Sequence, residues 1–330
     1  MPARELRVDA ALAGLRLDRA LAALTPELGL RGRRRLIARH AILVDGRAAP
    51  AGRRLRFGEL VTLREPASEA ASRLADTPRL LARQGEYCFL YKPAGLHSTA
   101  LAGGGGSSLE AALPALLASV PDAGAARLLQ RLDYGTSGIV CAALTRGAAL
   151  AFRRAEREGR CEKRYLTLLR GILAAPVTVR AALDTANRRR SRVLALTADS
   201  SRWTEFLPLH VWENAANLPP ELADALGADK APAGFPAEVG LTLAACRIRC
   251  GARHQIRAHA AALGRPLRGD GLYGSAMAEP SSERAGPAPA FFLHHGALLL
   301  PDASCVLPPP WPLPAPQAEE VRKWLESPPQ

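Results

Sequence analysis

The segment Arg131-Leu132-Asp133-Tyr134-Gly135-Thr136-Ser137-Gly138 sets a guanidinium and a carboxylate two positions apart, just before a turn rich in Gly and Ser. If residues 131 to 133 are extended, the period of two puts both side chains on one face. The turn then ends the segment at a surface that a ligand can reach. A carboxylate there can attack as a nucleophile or take a proton. It can equally satisfy a backbone N–H of its own turn, which is the commoner fate of an Asp ahead of Gly. A second polar cluster opens a helix read over Gln255 to Leu263. Ile256, Ala260 and Leu263 fall at i, i+4 and i+7, while His254 and Arg257 project together from its first turn. Tyr165 sits in an apolar run, where a core aromatic is the simplest role.

The elements that must position these groups need more than one domain, and 330 residues supply ample core material. No stretch of about 20 uninterrupted apolar residues is present, so no membrane partner is expected. The first residues lack an apolar export core, which makes the cytoplasm the expected location. Cys88, Cys141, Cys161, Cys246, Cys250 and Cys305 are read as buried or free thiols. The closest pair, Cys246 and Cys250, has no second pair to complete a metal site, so no metal is expected. The net charge of +13 suggests a polyanionic partner, nucleic acid before membrane, although a generally arginine-rich composition would raise the charge too.

Charge placement favours the partner. Residues 1 to 64 hold 14 Arg and no Lys against 6 acids, a net +8. Leu15 to Leu21 looks like a capped helix start. A second helix is expected from Gly32 to His40, with Arg31, Arg34, Arg35 and Arg39 on one face and Leu36 and Ile37 free to pack. Ile42 to Arg47 reads as a strand entering an Asp-Gly turn, and Leu60 to Leu63 as the returning strand. The expected organisation is a small αβ domain over 1–65, a linker over 66–84, and a larger domain over 85–330. In the larger domain Tyr87 to Tyr91, Ile139 to Leu144 and Tyr165 to Leu169 read as strands. Leu109 to Leu117 and Gly147 to Arg157 read as helices. Gly103 to Gly106 lacks the ending of a phosphate loop. Residues 213 to 237 and 276 to 290 are Pro- and Ala-rich and are expected to loop out.

The first 60 or so residues, with "RLDRAL", a basic second helix, "ILVDGR" and "FGELV", resemble an S4 RNA-binding domain. Further on, "KPAG" (92–95), "RLDYGTSG" (131–138), "KRY" (163–165), "RHQIRAHAAALGRPLRGDGLYG" (253–274) and "LHHGALLLP" (293–301) follow the order and rough spacing of the RluA-type pseudouridine synthases. This resemblance implies an α+β fold, with a catalytic domain built on a mixed, mainly antiparallel sheet and preceded by the S4-like αβ domain. It also implies isomerisation of uridine to pseudouridine in structured RNA, most of all large-subunit ribosomal RNA.

That reaction breaks a C–N glycosidic bond, rotates the uracil and forms a C–C bond. It oxidises nothing and imports no group, so no cofactor is expected. By resemblance Asp133 is the catalytic carboxylate, by either a nucleophilic or a sugar-deprotonating route, and Arg257 is its guanidinium partner. Tyr165 stacks on the base, and its phenol could help to remove the C5 proton. Arg131 fills the space of the extruded nucleotide or holds phosphates, Leu293 packs near the base, and His254 and Gln255 bind RNA or hold the Arg257 helix. Gln130 and Ala252 depart from the family's more usual His and Thr. A monomer is expected. The competing readings are a non-catalytic RNA-binding or ribosome-assembly protein on the same fold, and a synthase acting on transfer RNA.

Overall fold

A computed structural model of the chain describes residues 4–26, 29–38, 42–45, 47–63, 77–100, 107–187, 189–214, 218–226, 240–274 and 291–329. The chain divides into two compact units, Met1–Ala75 and Asp76–Gln330.

The first unit contains β1 (Arg4–Arg7), α1 (Leu17–Ala20), α2 (Leu30–Ala38), β2 (Ile42–Val44), β3 (Arg47–Ala48) and β4 (Leu60–Leu63). Its strands form an antiparallel sheet in the order β1-β4-β2-β3. Leu17, Leu21, Ile37, Ile42, Val44 and Val61 close a common core, and Leu36 packs against it. At the end of β2, Asp45 takes a left-handed φ of 49° and its carboxylate accepts a hydrogen bond from Leu60 N at 2.8 Å. Arg39 and the side chains of Arg31 and Arg35 lie outside the described residues. Arg34 is not simply a free cation on an RNA-facing stripe. Its Nε donates to Asp18 at 2.8 Å, although its side chain stays 52% exposed.

Asp18 is fully buried and is also held by Arg16 through two hydrogen bonds. A buried carboxylate is tolerated only when it is paired. The Arg16 hydrogen bonds, aided by Arg34 against the opposing effect of burial, lower its pKa to about 2. A depressed folded-state value means that this stabilisation is complete above the ordinary carboxylate pKa of about 4 and is lost as pH falls toward about 2. Both arginines are half in solvent, so screening reduces the contribution. Asp18→Asn is expected to destabilise the unit by about 1–2 kcal/mol at neutral pH. It should also remove much of the unit's acid sensitivity, which hydrogen exchange across α1 and α2 measures.

The second unit runs β5 (Arg79–Gln84), β6 (Tyr87–Lys92), α3 (Leu109–Leu116), β7 (Arg127–Leu128), β8 (Ser137–Ala143), α4 (Arg146–Arg157), β9 (Glu162–Arg170), β10 (Val177–Val179), β11 (Ala181–Asp184) and β12 (Arg192–Leu196). It continues with β13 (Thr204–Trp212), α5 (Pro220–Leu226), β14 (Leu241–Ile248), α6 (Gln255–Ala262), β15 (Leu293–Leu299), β16 (Ser304–Val306) and α7 (Ala315–Glu326). The main sheet has the order β10-β13-β14-β9-β15-β8-β6-β5, with β16 on β15 and β7 on β8. Every pairing is antiparallel except β15 with β8, so the sheet is mixed and mainly antiparallel, as expected. Alternation along the strands sorts the core onto two faces. Leu90, Val140 and Ala142 meet α3 and α6, whereas Phe89, Ile139 and Cys141 meet Phe152 of α4.

Two expectations change. The segment read as linker over 66–84 is an edge strand in its last six residues, because β5 pairs with β6. The stretch read as a loop over 213–237 contains α5, whose Leu222 is fully buried against Trp212 and Leu241. Residues 103–106 and 276–290 lie outside the described residues.

Arg164, next to Tyr165 on β9, is completely buried and anchors the end of α7. Its Nη1 donates to the carbonyls of Trp324, Leu325 and Ser327 at 2.7–3.0 Å, and its Nε pairs with Glu162 at 2.6 Å. Arg164→Leu would strip those carbonyls of a shared cationic donor and leave Glu162 with the longer Arg247 contact at 3.5 Å. We expect a loss of about 3–5 kcal/mol in chemical denaturation, far above the effect of an exposed Arg.

Candidate active site

Asp133 lies in the irregular segment between β7 and β8, and a strap of residues 92–98 fixes that segment's backbone. Buried Ser98 Oγ donates to Leu132 O at 2.8 Å and accepts from Leu132 N at 2.9 Å. Gly95 N donates to Tyr134 O at 2.8 Å. Lys92 is fully buried, and its Nζ donates to the carbonyls of Pro93 at 3.0 Å and Leu96 at 2.7 Å, with Tyr134 O at 3.5 Å. Burial drops the Lys92 ammonium to about 7, against the pull of the nearby Asp133 carboxylate. The "KPAG" segment therefore builds the platform on which the carboxylate stands. Gly138 completes it: with φ at 123°, any Cβ there would collide with the His295 backbone, where β8 runs parallel to β15.

Asp133 faces α6. Arg257 Nη1 donates to Asp133 Oδ2 at 3.2 Å. The rest of the guanidinium is held by Asp270, with Nε to Oδ2 at 2.7 Å and Nη2 to Oδ1 at 2.9 Å. The rings of Phe291 and Tyr273 lie 4.3 and 5.2 Å from the guanidinium carbon. Burial works against the Arg257 cation, but hydrogen bonds and attraction from Asp270 and Asp133 outweigh it and raise its pKa. The planar fork of donors suits this double duty, which a lysine ammonium would not perform.

His254 Nε2 stands 3.9 Å from Asp133 Oδ1, and its Nδ1 meets Tyr273 Oη at 3.1 Å. Burial lowers the His254 pKa below its ordinary value, with Asp133 opposing and Arg257 assisting. At neutral pH the ring is therefore neutral and adds no second cation beside the carboxylate. Of the two roles open to Gln255, holding the helix is the one that the geometry fills. Its buried amide donates to Arg202 O, Trp203 O and Thr204 Oγ1 and accepts from Ala252 N, which ties the start of α6 to the segment ahead of β13.

Tyr165 lies on β9 with its ring 4.5 Å from the His295 ring and nearly parallel to it. Burial, and then the Asp133 charge, push its phenol well above the ordinary range, so it stays protonated. The neutral phenol therefore keeps a proton available to donate. Leu293, at the start of β15, is buried and shares the cavity wall with Tyr165. Arg131 is exposed at the same cavity.

That cavity, of about 930 Å³, is lined by Arg131, Asp133, Tyr165, His254, Arg257 and Leu293 among others. The larger unit thus gathers every site residue expected of it, although Gln255 serves the scaffold. Asp270, Lys92, Ser98 and Tyr273 were not assigned from sequence. Lys92, Asp270 and Tyr273 lie inside the quoted motif blocks, and a charged residue beside Pro or Gly is the available signal for the first two. Together the groups offer a hydrogen-bonded carboxylate beside an aromatic donor, in a cleft large enough for an extruded nucleoside.

The family model described as RNA pseudouridylate synthase matches residues 86–262. Two similar curated proteins carry the name ribosomal large subunit pseudouridine synthase D. The one from Nitrosomonas europaea is 27% identical over 85% of this chain and 75% of its own length. The one from Xanthomonas campestris is 31% identical over 84% of this chain and 76% of its own. Among solved structures, human RNA pseudouridylate synthase domain containing 1 aligns over 78% of this chain and 97% of its own, at 20% identity and a TM-score of 0.49.

Proposed function

Since the chain belongs to the RNA pseudouridylate synthase family and is an RNA pseudouridine synthase, we propose that its target is large-subunit ribosomal RNA and that Asp133 carries the chemistry. The names of the similar curated proteins support the ribosomal target. The observation that carries the catalytic assignment is the Asp133 carboxylate, hydrogen-bonded by Arg257 and open to a cavity that Tyr165 also lines.

In this reading the target uridine leaves its stack, at a cost of a few kcal/mol, and places its ribose at Asp133. The carboxylate attacks the sugar or removes a sugar proton as the C–N bond breaks. The uracil rotates between Tyr165 and Leu293. As the C5–C1′ bond forms, the carboxylate leaves the sugar or returns its proton, and the C5 proton passes to water. The protonated Tyr165 phenol supplies a donor for a uracil oxygen. Arg257 fixes the carboxylate's orientation throughout.

The first unit, S4-like in sequence, would grip the same RNA by its arginines. Affinity of the full chain for ribosomal RNA should then fall steeply with salt. Affinity indifferent to salt would refute phosphate contact. The function itself is tested with large-subunit ribosomal RNA from cells lacking the gene, labelled with tritium at uracil C5. The purified protein should release tritium, and pseudouridine mapping should find a uridine modified only when the gene is present. Release from transfer RNA alone would move the target, and tight binding with no release would leave a binding protein.

A further inference from the structure

Next to the catalytic carboxylate the chain exposes an aromatic side chain that packs into no core cluster. Tyr134 is 51% exposed. A single exposed aromatic is ordinary, but this one is paired. The ring of His97 lies 4.6 Å away, tilted by 40°, and both residues line the Asp133 cavity. Both are also held at the backbone. Tyr134 O accepts hydrogen bonds from Gly95 N and Lys92 Nζ. His97 O accepts from Leu109 N at the start of α3, and its neighbour Ser98 clamps Leu132. The outcome is an aromatic surface on a held backbone at the rim of the cavity, one residue along from Asp133, with exposed Arg131 lining the same cavity.

We propose that the His97–Tyr134 pair is a second base-binding shelf, which stacks on the nucleobase adjacent to the target uridine. The inference rests on reading the cavity as the uridine site. When the target is extruded, its neighbours in the strand each lose a stacking partner. An aromatic face already fixed beside the site restores one of those contacts, because stacking on a side chain accepts any base. Tyr165 cannot serve both purposes: it lies buried on β9 and takes the target. Tyr134 sits at the rim, where the strand enters or leaves.

The test uses the full chain and a short RNA hairpin whose loop carries one uridine, with the fluorescent base 2-aminopurine on its 5′ or its 3′ side. Stacking quenches this base, so the wild-type protein should quench one of the two probes. Tyr134→Ala should abolish that quench and weaken binding about tenfold, whereas Tyr134→Phe should retain both. Replacing the same neighbouring nucleotide with an abasic one should weaken wild-type binding by a similar factor, with no further loss in Tyr134→Ala. Quenching of neither probe, quenching that survives Tyr134→Ala, or losses that multiply would overturn the shelf. Tritium release by the wild type is followed in parallel. Its absence despite a Tyr134-dependent quench would sink the uridine assignment alone, and its presence without that quench would sink the shelf alone.

Discussion

Asp133→Asn is expected to reduce tritium release from C5-labelled RNA by about 10⁴-fold or more while leaving RNA affinity near the wild-type value. Removal of a group that makes or breaks covalent bonds has effects of this size in other enzymes. Asparagine keeps the shape, and its amide oxygen can still accept the 3.2 Å hydrogen bond from Arg257 Nη1. The strap of Lys92, Gly95 and Ser98 binds only the backbone of residues 132 and 134, so the segment should stay in place. What disappears is the anionic oxygen. Single-turnover rates and equilibrium binding, measured on one preparation, separate the two effects. A variant that turns over within about tenfold of the wild type would exclude Asp133 from the bond-making steps. One that no longer binds RNA would make it a recognition residue.

The groups that line the cavity were legible through the family resemblance, because they sit in the short motif blocks that carry it. The groups that hold them were not. Lys92 and Asp133 are far apart in the chain, and only the pairing of β6 with β8 makes them neighbours. Arg164 lies inside the "KRY" block without an assigned role, and its guanidinium is spent on the carbonyls of Leu325 and Ser327. Polar latches of this kind leave no periodic trace. β5 was missed because Arg79-Leu80-Leu81-Ala82-Arg83-Gln84 has no β-branched residue and no strict alternation. It is an edge strand with an irregular register, stabilised by its neighbour and not by its own propensity. Helix limits moved by a residue or two where caps decide them. Thr145 accepts from Ala148 N and so starts α4 at Arg146.

Asp270→Asn is expected to lower kcat by about 10²-fold although residue 270 touches no substrate. Asp270 is fully buried at its side chain, grips Arg257 with both oxygens, and accepts the N–H groups of Leu272 and Tyr273 through Oδ1. It therefore sets the plane of the guanidinium, and that plane leaves only Nη1 free to reach Asp133. An asparagine amide would aim N–H groups at an N–H donor, so the fork must rotate and its tip must shift. A displacement of about 1 Å at a reacting group can cost about 10²-fold in rate. Breaking the buried pair should also reduce stability by about 3–5 kcal/mol, so activity must be measured well below the melting transition. A positioning role predicts a fall in kcat with little change in KM. A purely structural role predicts a folded fraction of lower concentration but unchanged kcat per folded molecule. Active-site titration against a tightly bound RNA distinguishes these outcomes. Wild-type kcat in the folded fraction would show that Arg257 keeps its aim without Asp270 and that this carboxylate serves folding alone.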